Sequence, residues 1–252
     1  MTDLPDGYYS DAELAWLTDA VRRRAPRTLV EIGTCMGRSA LAIACAMRPT
    51  AHLWCIDIWP DERALRTFRY AVEQAGLADR ITAVRQPSGE AARAWRSDCG
   101  LRNADCGMDS KSHGSTRMKH GDSESESSVF NPCSIRGQEI DLVHLDGDHR
   151  SLAVYLDIRE WLPSLAPDGI FLGHDWNLDS VRFGVMQAKA DGLLGEIGVS
   201  AAKRNGLPAC WWGLPATPGT CAGSPDASSG SGACGVVEKP CSCSRRLQPA
   251  GP

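Results

Sequence analysis

The chain has 252 residues, a net charge of −4, 42% hydrophobic residues and 11 cysteines. That length suits one domain with a full core, and the acidic balance excludes the basic field that holds a nucleic-acid backbone. No apolar run nears the ~18 residues of a membrane span, and the opening MTDLPDGYYSD is unlike a secretion signal, so the expected setting is cytoplasmic, with reduced thiols.

Ser10 and Glu13 form a Ser-x-x-Glu capping box, followed by Leu14, Leu17 and Val21 on one helix face. Arg22 to Arg24 end that helix with the charge its dipole favours. Thr28 to Ile32 is a short β-prone run carrying Glu31. Gly33 and Gly37 bracket a turn, and helical spacing resumes at Leu41, Ala44 and Cys45. A strand, a glycine turn and a helix bring backbone N–H groups and a helix N-terminus close to a nucleotide-like ligand. Glycine permits positive φ there and puts no Cβ in the way. The dinucleotide fingerprint G-x-G-x-x-G is incomplete, because Cys35 stands at its middle glycine.

His52 to Trp59 is a second strand. Its Asp57 lies twenty residues beyond Gly37, where a carboxylate can accept ribose hydroxyls. Pro60 and Asp61 open a helix through Leu65, Phe68 and Val72, with Gly76 just past its end. Ile81 to Val84 is a third strand, and Pro87-Ser88-Gly89-Glu90 leads into a helix that Ser88 is expected to cap. Cys35, Cys45 and Cys55 fall in apolar runs, where cysteine acts as a small hydrophobe. No paired Cys-x-x-Cys supports structural zinc.

From about 97 to 138 the composition turns to Ser, Gly, Asp and Lys without apolar period, which predicts a disordered insertion. Order returns with Ile140 to Leu145, ending in Asp146-Gly147-Asp148-His149. Val154, Ile158 and Trp161 mark a helix. Gly169 to Gly173 is a strand ending in His174-Asp175-Trp176-Asn177, and Val181 to Leu194 reads as helical. Glu196 to Ala201 and Ala209 to Trp212 read as paired strands around Asn205-Gly206. The expected layout is a domain over 1–215, interrupted at about 97–138, and a Gly/Ser/Pro/Cys-rich disordered tail over 216–252.

Alternating strands and helices predict an α/β fold: a doubly wound, mostly parallel sheet with a C-terminal antiparallel hairpin. Ligands in such sheets sit beyond the carboxyl ends of the strands. That rule gathers Glu31 to Gly37, Asp57, Ser88, Asp146 to His149 and His174 to Asn177 on one edge. Carboxylates from neighbouring strand ends (Asp146, Asp148, Asp175) repel unless a cation or proton sits between them, and a hard ion such as Mg²⁺ takes oxygen ligands of this kind. His149 has the intrinsic pKa of a general base.

Taken together, VEIGTCMGRSALAIA, CIDIWP and DLVHLDGDHRSLAVYLDIREWLPSLAPDGIFLGHDW resemble the class I S-adenosylmethionine-dependent methyltransferases, of the methyltransferase family 24 type. GYYSDAELAWL resembles that group's N-terminal helix. The resemblance covers most of residues 7 to 190 outside the insertion and implies a Rossmann-like seven-stranded sheet. It implies S-adenosyl-L-methionine as cofactor, with Glu31, Gly33, Thr34, Gly37 and Ser39 around the methionine part. Asp57 would hold the ribose, Ser88 would lie near the adenine, and Asp146 would lie beside the cofactor. It also implies a small-molecule acceptor. In the related macrolide-sugar O-methyltransferases an Asp-Gly-x-His segment supplies a metal ligand and a catalytic base, and Asp146-Gly147-Asp148-His149 matches it. The second acidic pair of those enzymes falls at His174-Asp175, where His replaces Glu. His149 is then the expected base, and Asp146 with Asp175 the expected Mg²⁺ ligands. Two other readings stay open: a nicotinamide-dependent oxidoreductase, against which the incomplete fingerprint argues, and a non-catalytic binding protein on the same fold.

Overall fold

Residues 4–5, 7–97 and 138–217 are described by the computed structural model of the protein. Helix α1 (Asp11–Arg24) begins at the capping box: the Glu13 carboxylate accepts the Ser10 N–H at 2.6 Å, and the Ser10 hydroxyl accepts the Glu13 N–H at 3.4 Å. It ends where Ala25 turns left-handed, with φ 49°.

Strand β1 (Thr28–Ile32) lies inside the sheet and is buried at every position. Its neighbours are β2 (His52–Asp57) and β4 (Ile140–Leu145). Beyond β2 lies β3 (Ile81–Arg85). Beyond β4 lie β5 (Leu165–Gly173), β9 (Trp211–Pro215) and β6 (Leu194–Val199), giving the order β3-β2-β1-β4-β5-β9-β6. Within this sheet β9 alone runs against its neighbours. The doubly wound, mostly parallel seven-stranded expectation agrees with this sheet.

Side chains alternate across a strand, so a strand buried on both faces must be covered on both. One layer packs Leu29, Leu41, Leu53 and Phe68 beneath α1, α2 (Arg38–Ala46) and α3 (Glu62–Gln74). The other packs Val30, Val143 and Phe171 beneath α4 (Ser88–Arg96), α5 (Ser151–Trp161) and α6 (Asp179–Ala190). In that second layer Trp54, Trp95 and Trp161 meet edge to face, with ring centroids 5.7 and 5.9 Å apart, the geometry that aromatic quadrupoles favour.

Several local expectations are corrected. Helix α6 stops at Ala190, four residues before Leu194, because Gly192 takes φ 74° and releases the chain into β6. Asn205 and Gly206 do form a tight turn, with φ of 52° and 81°, but it joins only the two-residue strands β7 (Lys203–Arg204) and β8 (Leu207–Pro208). The pairing expected of Glu196 to Ala201 with Ala209 to Trp212 is present as β6 with β9, whose register places Val199 opposite Trp211. Cys55 is buried, but Cys35 and Cys45 are exposed rather than packed. The expected insertion and tail fall on 98–137 and 218–252, outside the described residues. No helix among the described residues is long and apolar enough to cross a membrane.

Candidate active site

The carboxyl ends of β1, β2, β4 and β5 open into one cavity of ≈ 1130 Å³. The turn after β1 is shaped by two close approaches. Gly33 has φ +86°, and a Cβ there would lie 2.1 Å from the Asp146 carbonyl oxygen. Gly37 has φ +91° and opens α2, and a Cβ there would meet the Phe68 ring at 2.3 Å. At the middle position Cys35 accepts φ 50°, so the turn forms without the third glycine.

Asp57 holds that turn in place. Its Oδ2 accepts the Thr34 and Cys35 N–H groups at 2.9 and 2.8 Å, and its Oδ1 accepts the Trp59 N–H at 2.7 Å. The carboxylate lines the cavity while bracing the loop. Gly33, Thr34, Gly37, Ser39, Ser88, Asp146, His149 and Asp175 line the same cavity.

Glu31 is not among the lining residues. It is fully buried, accepts the Thr34 hydroxyl at 2.9 Å, and lies 3.3 Å from His144 Nδ1. His144 Nε2 in turn meets the Tyr9 hydroxyl at 3.0 Å. Glu31 therefore supports the turn from beneath. Ser88 does not cap α4: Pro87 is the capping residue, and Ser88 is the first residue of the helix. The Ser88 oxygen instead accepts the indole N–H of Trp161 at 2.9 Å.

Across the cavity, β4 and β5 bring their terminal residues together. His149 Nε2 lies 3.0 Å from Asp175 Oδ2 and 3.8 Å from Asp146 Oδ1. His174 Nδ1 lies 3.2 Å from Asp146 and 3.3 Å from Asp175. Arg204, at the end of β7, reaches the other oxygen of Asp175 at 3.2 Å. His174 is buried, whereas the His149 side chain is 46% exposed and faces the cavity.

The electrostatics follow from this crowding. The carboxylates of Asp146 and then Asp175 beside it raise His149 to about 10. Burial opposes charge on His174, but the same carboxylates outweigh it and raise the ring to about 9. Burial likewise opposes charge on Asp175, yet His149 and His174 hold it well below the usual carboxylate range. In this geometry both imidazoles carry protons at neutral pH, so His149 is poised to accept a proton only once its carboxylate partners are otherwise engaged.

Asp146, His149 and Asp175 each offer one donor atom, and these atoms lie within 4.8 Å of one another. Two carboxylate oxygens and an imidazole nitrogen fit a divalent ion. His174 is held among carboxylates at both ring nitrogens, Asp146 and Asp175 at Nδ1 and Glu13 3.7 Å from Nε2, with the Tyr9 ring stacked on it at a centroid distance of 3.9 Å. Arg204 and Asp157 both line the cavity, and neither is among the residues that the sequence pattern singles out. Arg204 sits in a two-residue strand, and Asp157 sits mid-helix; neither position carries a local signal.

A family model described as a methyltransferase domain matches residues 30–116 and 104–176, together more than half of the chain. The chain is 32% identical over 79 residues to the uncharacterized protein y4gI of Sinorhizobium fredii, a match that spans 31% of this chain and 9% of that protein. Among solved structures it is similar to an O-methyltransferase from Bacillus cereus in complex with SAH, with TM-score 0.57 and 14% identity, covering 84% of each chain. It is also similar to the O-methyltransferase TomG from Streptomyces achromogenes, involved in tomaymycin synthesis and solved with SAM. There the TM-score is 0.58 at 14% identity, covering 85% of this chain and 84% of that one. At such identities these likenesses establish a shared fold.

Proposed function

The chain belongs to the methyltransferase-domain family, and from that premise we propose that it moves the methyl group of S-adenosyl-L-methionine to a hydroxyl oxygen of a small molecule. The observation that carries this reading is the shared cavity: the braced glycine turn on one side and the Asp146–His149–Asp175 cluster on the other line the same space. In this reading the N-terminus of α2 and the Ser39 hydroxyl face the methionine carboxylate, which a helix N-terminus favours, while the Thr34 hydroxyl is turned to Glu31. Asp57 keeps one lone pair, on Oδ1, for a ribose hydroxyl while it braces the turn. Ser88 marks the adenine end.

The sulfonium methyl is already activated, so the protein has two tasks. It must align the acceptor oxygen in line with the methyl group, and it must remove the hydroxyl proton. His149, open to the cavity, is the proposed proton acceptor. Asp146 and Asp175 are the proposed holders of a divalent ion, Mg²⁺ in the first instance. Such an ion would neutralise the charge that now keeps His149 protonated and would lower the pKa of the acceptor hydroxyl.

Calorimetric titration with S-adenosylhomocysteine and with NAD⁺, followed by methyl transfer to a panel of hydroxyl compounds, tests the proposal. Binding of S-adenosylhomocysteine alone, with transfer to at least one hydroxyl acceptor, is the expected result. Preferential binding of NAD⁺ would overturn it, as would cofactor binding without transfer to any acceptor.

A further inference from the structure

Tyr9 is a buried side chain that reaches both ends of the site and has no part in the chemistry above. It stands one residue before the N-cap of α1 and lines the cavity. Its ring lies on the ring of His174, 22° from parallel, with centroids 3.9 Å apart. His174 in turn holds Asp146 and Asp175 at 3.2 and 3.3 Å. The ring of Tyr9 therefore bears on the acidic end of the site.

Its hydroxyl leads the other way. The oxygen lies 3.0 Å from His144 Nε2, and His144 Nδ1 lies 3.3 Å from Glu31. Glu31 accepts the Thr34 hydroxyl at 2.9 Å, and the Thr34 N–H donates to Asp57 at 2.9 Å. Tyr9, His144, Glu31, Thr34 and His174 are all buried. A buried polar group that loses its partner finds no water to replace it, so each link of this chain holds the next in place. The Tyr9 carbonyl is fixed as well: Arg38, the first residue of α2, donates to it from Nε at 3.1 Å. One residue thus joins the glycine turn, and the helix that follows it, to the acidic cluster.

A second route joins the same two ends without Tyr9. The Asp146 N–H donates to the Ile32 carbonyl at 2.8 Å, and the Asp146 backbone lies against Gly33. That contact sets the main chain of Asp146. The imidazole on which Tyr9 rests meets the side chains of Asp146 and Asp175.

We infer that Tyr9 is a positioning residue that couples the cofactor turn to the acidic cluster, so that a change at His174 alters the affinity for the cofactor. The inference rests on the S-adenosylmethionine reading above and adds a link between the two ends of that site. Coupling in binding is reciprocal, so a cofactor seated on the turn stabilises, in the same measure, the His174 arrangement that favours it.

The test is a double-mutant cycle on the wild type, His174→Asn, Tyr9→Phe and the double variant, read by calorimetric titration with S-adenosylhomocysteine. Phe keeps the stacked ring and removes the hydroxyl. With Tyr9 in place, His174→Asn should weaken binding at least about 5-fold, the lower end for coupled sites. In the Tyr9→Phe background the same change should weaken it by less than about twofold, the scatter of independent sites. Equal weakening in both backgrounds would put the coupling on the Asp146 backbone and overturn the inference, as would no weakening with Tyr9 in place. A tyrosine that only filled space would lower the thermal midpoint of Tyr9→Phe and leave the two His174 effects equal. Thr34→Val cuts the same chain at its other end and carries the cycle should Tyr9→Phe fail to fold. Wild-type protein that bound no S-adenosylhomocysteine would overturn the cofactor reading together with the inference.

Discussion

Arg204 and Glu13, 191 positions apart in the chain, meet at 2.8 Å. Glu13 is fully buried on α1, and the same guanidinium reaches Asp175 and the Tyr8 carbonyl. A two-residue strand therefore ties the N-terminal helix to the acidic end of β5. Removing the guanidinium leaves the buried Glu13 carboxylate with His174, 3.7 Å away, as its remaining cation. Arg204→Met should destabilise the protein by about 3 kcal/mol in urea unfolding at pH 7, the lower end for breaking a buried pair, because Arg204 itself is partly open to solvent. A loss below about 1 kcal/mol would mean that water screens the pair.

Gly33→Ala should cost more than the left-handed conformation alone, which accounts for about 1 kcal/mol. The added Cβ has nowhere to go except into the Asp146 backbone, 2.1 Å away. The expected outcome is a loss of at least about 2 kcal/mol in stability together with weakened S-adenosylhomocysteine binding, both read on the same protein sample by urea melts and calorimetry. Unchanged binding in a destabilised protein would separate the turn from the cofactor.

The paired imidazoles predict a pH profile. A base must be unprotonated in the free enzyme for kcat/KM to be full, and the carboxylates raise His149 to about 10. Without added metal, kcat/KM for the acceptor should therefore climb from neutral pH towards about pH 10. With saturating Mg²⁺ the rise should move to lower pH, because the ion shares the carboxylates. His149→Gln should flatten the profile and reduce kcat by roughly 100-fold or more, with S-adenosylhomocysteine affinity unchanged. A variant with full kcat at pH 7 would remove His149 from the mechanism.

Stability carries the opposite sign at His174. Its folded pKa of about 9 exceeds the ordinary 6.5, so its contribution is complete below about pH 6.5 and is lost as pH rises through about 9. The stability difference between the wild type and His174→Asn should shrink over that window in urea melts taken at several pH values. A constant difference would show that His174 acts through packing against Tyr9 rather than through charge.

Asp157 should weaken the ligand-free fold. Its carboxyl is raised from 3.8 to about 6, so the native state holds its proton more tightly than the unfolded chain, and stability falls as pH rises across that interval. Asp157→Asn should gain about 1–3 kcal/mol at pH 7 to 8, and the gain should vanish below about pH 4. A gain independent of pH would point to packing instead.

The alternation of strands and helices, the glycine turn, the acidic strand ends and the capping box of α1 were legible in the sequence because each depends on residues within a few positions of one another. Hydrophobic period places Leu29 and Val30 on opposite faces, and the carboxyl-edge rule collects Asp57, Asp146, His149 and Asp175 before any coordinates exist. What the sequence could not decide depends on contacts between distant segments. Glu31 sits in a strand buried on both faces, and only the tertiary structure shows His144 and Tyr9 closing over it. Ser88 satisfies every local criterion for a cap, yet the indole of Trp161, 73 positions away, claims its oxygen. Asn205-Gly206 encodes a turn and the pairing of β6 with β9 around it was legible, but the two-residue strands β7 and β8 beside the turn carry no signal of their own. Local conformational preference is written in neighbouring residues; which polar groups meet in the interior is settled by packing, because only a folded core removes the water that would otherwise satisfy them.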